Sequence, residues 1–262
     1  MEEFTGGEVY QKEFDPQAYL EFFKLESDSL GNEAVTFYLE CFCKTFTPDF
    51  LKGDTLIDLG SGPCIFQFMS ACESFENIIA SDYVDGNLQE IEKWWKNKPG
   101  AFDWSSIGMY VCQLEGNRAK WPEKEAKLRR AIQQVLKCDV NQQNPMAPLR
   151  LPLVDCVLST ECLESACKDL ASYKAALSNI GSLLKPGGHL VLSGLLESTF
   201  LVVGSQKFSI LFLTEKFQRE ALAESGFTII QYKTQRRIDK EMLDLCDFAA
   251  FYFIIAQKGK GD

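Results

Sequence analysis

Three short segments of the chain carry residues suited to holding a ligand that contains a nucleoside. Gly60-Ser61-Gly62-Pro63 follows the apolar run Thr55-Leu56-Ile57-Asp58-Leu59. Glycines at a strand end let the backbone turn tightly and come close to a ligand. A helix opening there, read over Ile65 to Cys72, offers free N–H groups to an anionic end. Asp82 stands 22 residues after Gly60, where the apolar run Ile78-Ile79-Ala80-Ser81 ends. A carboxylate in that place can accept both hydroxyls of a ribose. Asp139, in Lys137-Cys138-Asp139-Val140, is another acid at a strand end, able to accept from an adenine amino group. Taken singly, each is also a plain turn or a loop acid. Their order along one chain points to a cofactor that bears adenosine.

A dinucleotide would require a third glycine at position 65, where Ile65 stands. A cofactor without phosphates suits the turn better. No metal is expected, because His189 is the only histidine and the ten cysteines form no C-x-x-C pair. His189 follows a Gly-Gly turn at a strand start and reads as structural. Glu164, just past the strand that ends at Thr160, is the candidate catalytic acid–base group. Placed near a cationic ligand, it could bind the cation and take its proton. The same glutamate also fits a solvated loop. Glu161, Glu197 and Asp247 are weaker candidates for the same role by position, and each reads more readily as a surface acid.

These residues need strands to present them. Strands are predicted over Thr55–Leu59, Ile78–Ser81, Val135–Val140, Asp155–Thr160, His189–Ser193, Phe227–Tyr232 and Phe248–Ala256. Helices are expected from Asn87 to Lys96, Pro122 to Gln134 and Leu170 to Leu184. Lys185-Pro186-Gly187-Gly188 stops the last of these. The alternation implies a mostly parallel sheet covered on both faces, with an antiparallel strand at its C-terminal edge. The first ~50 residues read as helices, with Asp15-Pro16 as an N-cap and first-turn proline and a second run over Val35–Phe46. One domain over 1–262 is expected, with 1–50 a helical lid and 51–262 the core.

Net charge is −10, with no Lys/Arg cluster to displace counterions from phosphates, which counts against nucleic acid. A small, cationic partner fits that field. The acidic start lacks a signal peptide's basic end and apolar run, and Phe248–Ala256 is too short to span a bilayer. Reduced thiols, a cytoplasmic location and a monomer are the expectation.

The ordered pieces resemble the Rossmann-like methyltransferases, and the match becomes narrower on inspection. Phe4-Thr5-Gly6-Gly7 with Tyr10, Lys12 and Phe14 resembles the nicotinamide, indolethylamine and phenylethanolamine N-methyltransferase family. So do Asp54 to Pro63, Ser70 to Phe75, Ala101-Phe102-Asp103-Trp104, Leu114-Glu115-Gly116-Asn117, Val135 to Val140, Asp155 to Thr160 and Ser182 to Gly188. The resemblance covers residues 4 to 258 and weakens after Gly194. It implies an α/β, class I methyltransferase fold with a seven-stranded sheet, using S-adenosyl-L-methionine and releasing S-adenosyl-L-homocysteine.

By that resemblance Gly60, Ser61 and Gly62 contact the methionine part, and Asp82 holds the ribose with Tyr83 and Asn87 nearby. Asp139 and Val140 bind adenine, and Thr160 lines the transfer site. Tyr19 closes a lid over the carboxylate, and Tyr10 lies across the acceptor pocket. The second lid tyrosine is missing, with Phe22-Phe23 there, and Phe66 stands where relatives often carry tyrosine. Cys162-Leu163-Glu164 is similar to the phenylethanolamine branch at an amine-contacting acid. Nicotinamide methylators carry an aspartate where this chain has Gly194. Their aromatic clamp falls on Leu201 and their serine on Ile210. The N-terminal motif is closer to the indolethylamine branch. The expectation is an aryl- or alkylamine N-methyltransferase, with nicotinamide or another pyridine, and a non-catalytic cofactor binder, as alternatives.

Overall fold

Apolar runs with branched and aromatic residues on both faces make buried strands, and the computed structural model shows them paired in one sheet. It describes residues 4–24, 30–116, 120–238, 240 and 242–260. Asn117 and residues 261–262 lie outside the described residues. The strands are β1 (Gly53–Leu59), β2 (Phe75–Asp82), β3 (Ile132–Lys137), β4 (Val154–Thr160), β5 (Leu184–Leu196), β6 (Phe200–Val203), β7 (Gln206–Ser209), β8 (Phe227–Arg236) and β9 (Ala250–Lys258). Seven of them form a sheet in the order β3-β2-β1-β4-β5-β9-β8, and β6 and β7 form a separate hairpin. The first five strands are parallel; β9 runs antiparallel to both β5 and β8. The antiparallel strand therefore sits one place in from the edge, and β8 takes the edge itself. β9 is the apolar one of the pair, and the inner place buries both its faces.

Alternation along the strands separates two cores. Leu56, Leu158, Val191, Phe251, Phe253 and Ile255 face one side; Ile57, Val157, Leu190, Leu192, Tyr252 and Ile254 face the other. The first face is covered by α3 (Leu30–Thr45), α4 (Phe68–Ala71), α6 (Ser105–Leu114) and α7 (Trp121–Ala131), with α5 (Asp85–Trp95) beside β3. The second is covered by α9 (Leu170–Leu183) and α10 (Glu215–Glu224). α9 opens on a capping box between Asp169 and Ser172.

Several sequence boundaries move. The helix read over Ile65–Cys72 is a single turn, α4, so Gly60-Ser61-Gly62 leads into turns rather than a long helix. β3 ends at Lys137, which leaves Asp139 and Val140 on the loop beyond it. Lys185 to Gly188 is a break in register inside β5, where β4 pairing passes from Leu184 to His189. α6, α10 and the β6–β7 hairpin were not expected.

The first fifty residues divide in two. α1 (Gly7–Glu13), α2 (Pro16–Leu20) and a 3-10 turn (Glu21–Phe23) lie near the strand tips, whereas α3 packs beneath the sheet. Asp15 caps α2, its Oδ1 accepting from the Gln17 and Ala18 N–H groups, as the Asp15-Pro16 pair predicted.

Candidate active site

Chain order reverses between β1's two neighbours, β2 and β4, and a crevice opens beyond the carboxyl ends of these strands. A cavity of ≈ 240 Å³ lies there. Its wall includes all twelve residues expected at the cofactor and acceptor site: Tyr10, Tyr19, Gly60, Ser61, Gly62, Asp82, Tyr83, Asn87, Asp139, Val140, Thr160 and Glu164.

The glycine turn is needed where it stands. Gly60 has φ +74° and Gly62 has φ +59°, and a Cβ on Gly60 would lie 2.2 Å from Cys162 Sγ. Asp82, 6% exposed, fastens the turn: its Oδ2 accepts from Gly62 N–H at 2.8 Å. Its Oδ1 accepts from Val84 N–H at 2.7 Å and Asn87 Nδ2 at 2.9 Å. Burial pushes the Asp82 carboxyl above its ordinary range, and these donors offset only part of that. One carboxylate thus ties two loops together and faces the cavity between them.

Asp139 accepts from Asn141 N–H and Gln142 Nε2, which fixes the loop after β3 beside Val140. Two buried atoms on the wall, Asn87 Oδ1 and Gln67 Oε1, have no hydrogen-bond partner among the described residues. Acceptors left over in this way suit the hydroxyl and amino groups of an adenosyl ligand. With the glycine cradle and the flanking acids, the residues present fit S-adenosylmethionine.

At the other end of the cavity Glu164 is 1% exposed on the short helix α8 (Leu163–Ala166). It is no solvated loop acid. Its Oε1 accepts from Leu195 N–H at 2.9 Å, and Tyr252 Oη lies 3.4 Å from Oε2. Burial pushes its pKa up to about 8, the Leu195 contact working against that and Glu161 adding to it. Gly194 provides the room: a Cβ there would stand 2.0 Å from Glu164 Oε1. The glutamate occupies the volume that a side chain at position 194 would take.

Glu161, read from sequence as a surface acid, is also on the cavity wall. Tyr19 Oη lies 3.2 Å from its Oε2 and Tyr38 Oη 3.0 Å from its Oε1. Tyr19 is therefore bonded to an acid of the chain itself, with its ring 3.8 Å from where a Gly62 Cβ would be. The other two surface readings hold better. Glu197 is exposed, and Asp247 accepts from Ser198, Thr199 and Phe200 to hold the turn between β5 and β6. His189 lies within β5, off the cavity wall.

The N-terminal segment crosses the cavity mouth and is fastened at both ends. Thr5 and Ser209 exchange hydrogen bonds of 2.7 and 2.9 Å, and Gln11 meets Asp85 and Lys137. Tyr10 and Phe14 pack on Phe208 of the hairpin. Gly7 passes so close to Tyr83 that a Cβ would fall 2.8 Å from its ring. The missing lid tyrosine leaves an apolar contact: Phe23 stacks on Phe66 at 5.1 Å. Leu201 and Ile210 both line the cavity, as their alignment implied.

All ten cysteines are free. Among the described residues no group of metal-binding side chains occurs, and no helix is long and apolar enough to cross a membrane.

Comparison with known proteins agrees with this geometry. The NNMT/PNMT/TEMT family profile matches residues 2–259. Nicotinamide N-methyltransferase of Homo sapiens is 52% identical over 86% of this chain and 86% of its own. Indolethylamine N-methyltransferase of Oryctolagus cuniculus is 48% identical over 87% of this chain and 88% of its own. Among solved structures, magnesium protoporphyrin IX methyltransferase of Synechocystis PCC 6803 with bound S-adenosylmethionine aligns at TM-score 0.59 and 12% identity. That alignment covers 96% of this chain and 94% of the other, and shows the shared fold. The chain belongs to the NNMT/PNMT/TEMT family of S-adenosylmethionine-dependent N-methyltransferases.

Proposed function

We propose that the acceptor is a small aryl- or alkylamine, methylated on nitrogen beside Glu164. The observation that carries this is the exchange at Gly194, where the absent side chain leaves room for a buried glutamate aimed at the cavity. S-adenosylmethionine, when bound, supplies a methyl group on a sulfonium, open to in-line attack by a lone pair.

The chain's residues would then act by position. Gly60, Ser61 and Gly62 shape the floor for the methionine part, Asp82 and Asn87 hold the ribose with Tyr83 alongside, and Asp139 and Val140 hold adenine. Thr160, hydrogen-bonded to Ser193 at 2.9 Å, borders the transfer site. Tyr10 and Tyr19 close the mouth and exclude water, and such alignment supplies a large share of the rate.

An amine arrives at neutral pH as an ammonium and has no lone pair to offer. Glu164 would bind the cation, releasing its own proton to solvent, and then take one proton from nitrogen to restore the carboxylic acid. Glu164 would thereby leave the nitrogen neutral, its lone pair free, on the side of the cavity that Thr160 borders. Proton transfer of this kind contributes about 10²–10⁴-fold. A single domain, a cytoplasmic location and a monomeric state complete the reading, the free thiols supporting a reducing compartment.

A second reading, nicotinamide as acceptor, draws on the 52% identity to the human enzyme. Labelled S-adenosylmethionine with tryptamine, phenylethylamine and nicotinamide in parallel separates the two. Label in the amines supports the first, and label in nicotinamide alone overturns it.

A further inference from the structure

We infer that Glu161 forms a second amine subsite, holding the far ammonium of an aliphatic diamine whose other nitrogen is methylated beside Glu164. This rests on the amine reading above and narrows it.

Glu161 stands on the wall between two cavities. Besides the main one it lines a smaller space of ≈ 50 Å³, bounded mostly by apolar and aromatic side chains such as Phe22, Phe23, Phe66 and Phe248. Space of that size admits an ammonium and a few methylenes, since one water needs about 10–15 Å³ on the same measure. Among the described residues, no Lys, Arg or His lines either cavity. A carboxylate set among aromatic faces, with no cation of its own, suits an alkylammonium by charge and by cation–π attraction.

The hydrogen bonds around Glu161 show how it is kept without a counter-charge. Tyr38 Oη is 3.0 Å from Glu161 Oε1 and 3.0 Å from Gly194 O, yet one phenol donates only one proton. Both contacts are satisfied when Glu161 is protonated, donating to Tyr38 while Tyr38 donates to Gly194 O. Burial also pushes the Glu161 carboxyl upward. An arriving ammonium would displace that proton and leave an ion pair.

A single peptide group relates the two acids. Gly194 C=O meets Tyr38, which holds Glu161, and the N–H of the same peptide, on Leu195, meets Glu164. The carbonyl and N–H of a trans peptide point in opposite directions. The acids are therefore anchored from opposite sides of one rigid unit, a fixed spacing suited to a fixed separation of two nitrogens. Glu161 holds its place at φ +53°, its N–H donating to Ser193 O at 2.8 Å.

The test compares n-butylamine with the α,ω-diamine of the same chain length as acceptors for the intact enzyme. The wild type should show a KM for the diamine at least about tenfold lower, as expected for a charge-assisted contact. Glu161→Gln should bring the two KM values within about twofold of each other, while calorimetric affinity for S-adenosylhomocysteine stays within about twofold of wild type. Turnover of both amines by the wild type with equal KM would overturn this inference and leave the amine reading standing. Loss of donor-product affinity in Glu161→Gln with the diamine preference retained would also overturn it, placing Glu161 with the sulfonium. If no amine is methylated, and none binds to the complex with S-adenosylhomocysteine by calorimetry, the amine reading falls as well. The wild-type comparison needs no variant, so a folding defect in Glu161→Gln cannot hide the answer.

Discussion

Beneath the sheet, Lys124 on α7 is 5% exposed, and its ammonium meets Glu73 at 2.8 Å, Glu115 at 2.7 Å and the Met69 carbonyl at 3.0 Å. At the strand tips Glu164 is 1% exposed, and among the described residues its carboxyl meets the Leu195 N–H and the Tyr252 phenol but no cation. Both groups have lost water. Burial pulls the Lys124 pKa down, but Cys72, Glu115 and Glu73 outweigh it, and the ammonium stays charged. Around Glu164 burial prevails and the acid holds its proton up to about pH 8. Where the chain uses charge to hold itself together, it supplies the opposite charge. Where it leaves an acid facing a cavity without one, the compensating charge is left to a ligand.

The largest effect expected from that contrast is on stability. Lys124→Met leaves Glu115 and the Met69 carbonyl without their cation, while Glu73 keeps Lys127, and should cost about 3 kcal/mol in urea unfolding, with donor affinity unchanged. A loss of donor affinity instead would make the two regions one. Glu164→Gln should act the other way, lowering amine kcat/KM about a hundredfold, which is about 2.7 kcal/mol of barrier, while unfolding becomes harder. Full activity in that variant would remove Glu164 from the chemistry. Asp82→Ala should weaken donor binding by about 2 kcal/mol in calorimetry, since it removes the proposed ribose acceptor and unties Gly62 from Val84. Unchanged affinity would take Asp82 out of the site.

The smallest effect is a slope. Glu164 binds its proton more tightly in the folded chain than in the unfolded one, its pKa raised from 4.5 to about 8. Between those values the folded state holds more protons, so stability falls as pH rises, by up to about 1.4 kcal/mol per unit. Urea titrations across that window should show the slope in wild type and a shallower one in Glu164→Gln.

The sequence and the structure meet most closely where local chemistry decides the outcome. Apolar runs located all seven strands of the main sheet, and the Gly60 and Gly62 turn with Asp82 located the cavity, because these signals act within a few residues. Strand ends shifted by a few residues at β3 and β5, where turns and a register break compete with the apolar pattern. α10 had a legible start in Thr214, whose side chain accepts from Phe217 N–H, and Gly204 marked the β6–β7 turn. Glu161 had no such signal. Its meaning comes from Tyr38, 123 residues away, and from a left-handed backbone that aims it at the cavity. Whole-chain identity is similarly blunt about the acceptor, since 52% and 48% differ little, while the space at Gly194 that Glu164 fills is a matter of two residues.

The most direct test counts protons. Amine binding to the complex with S-adenosylhomocysteine, followed at neutral pH by calorimetry in buffers of different ionisation enthalpy, should release close to one proton per butylammonium, as Glu164 gives up its own. Amine binding with a heat that does not depend on buffer would contradict the account, for it would mean that the ligand meets an acid already charged.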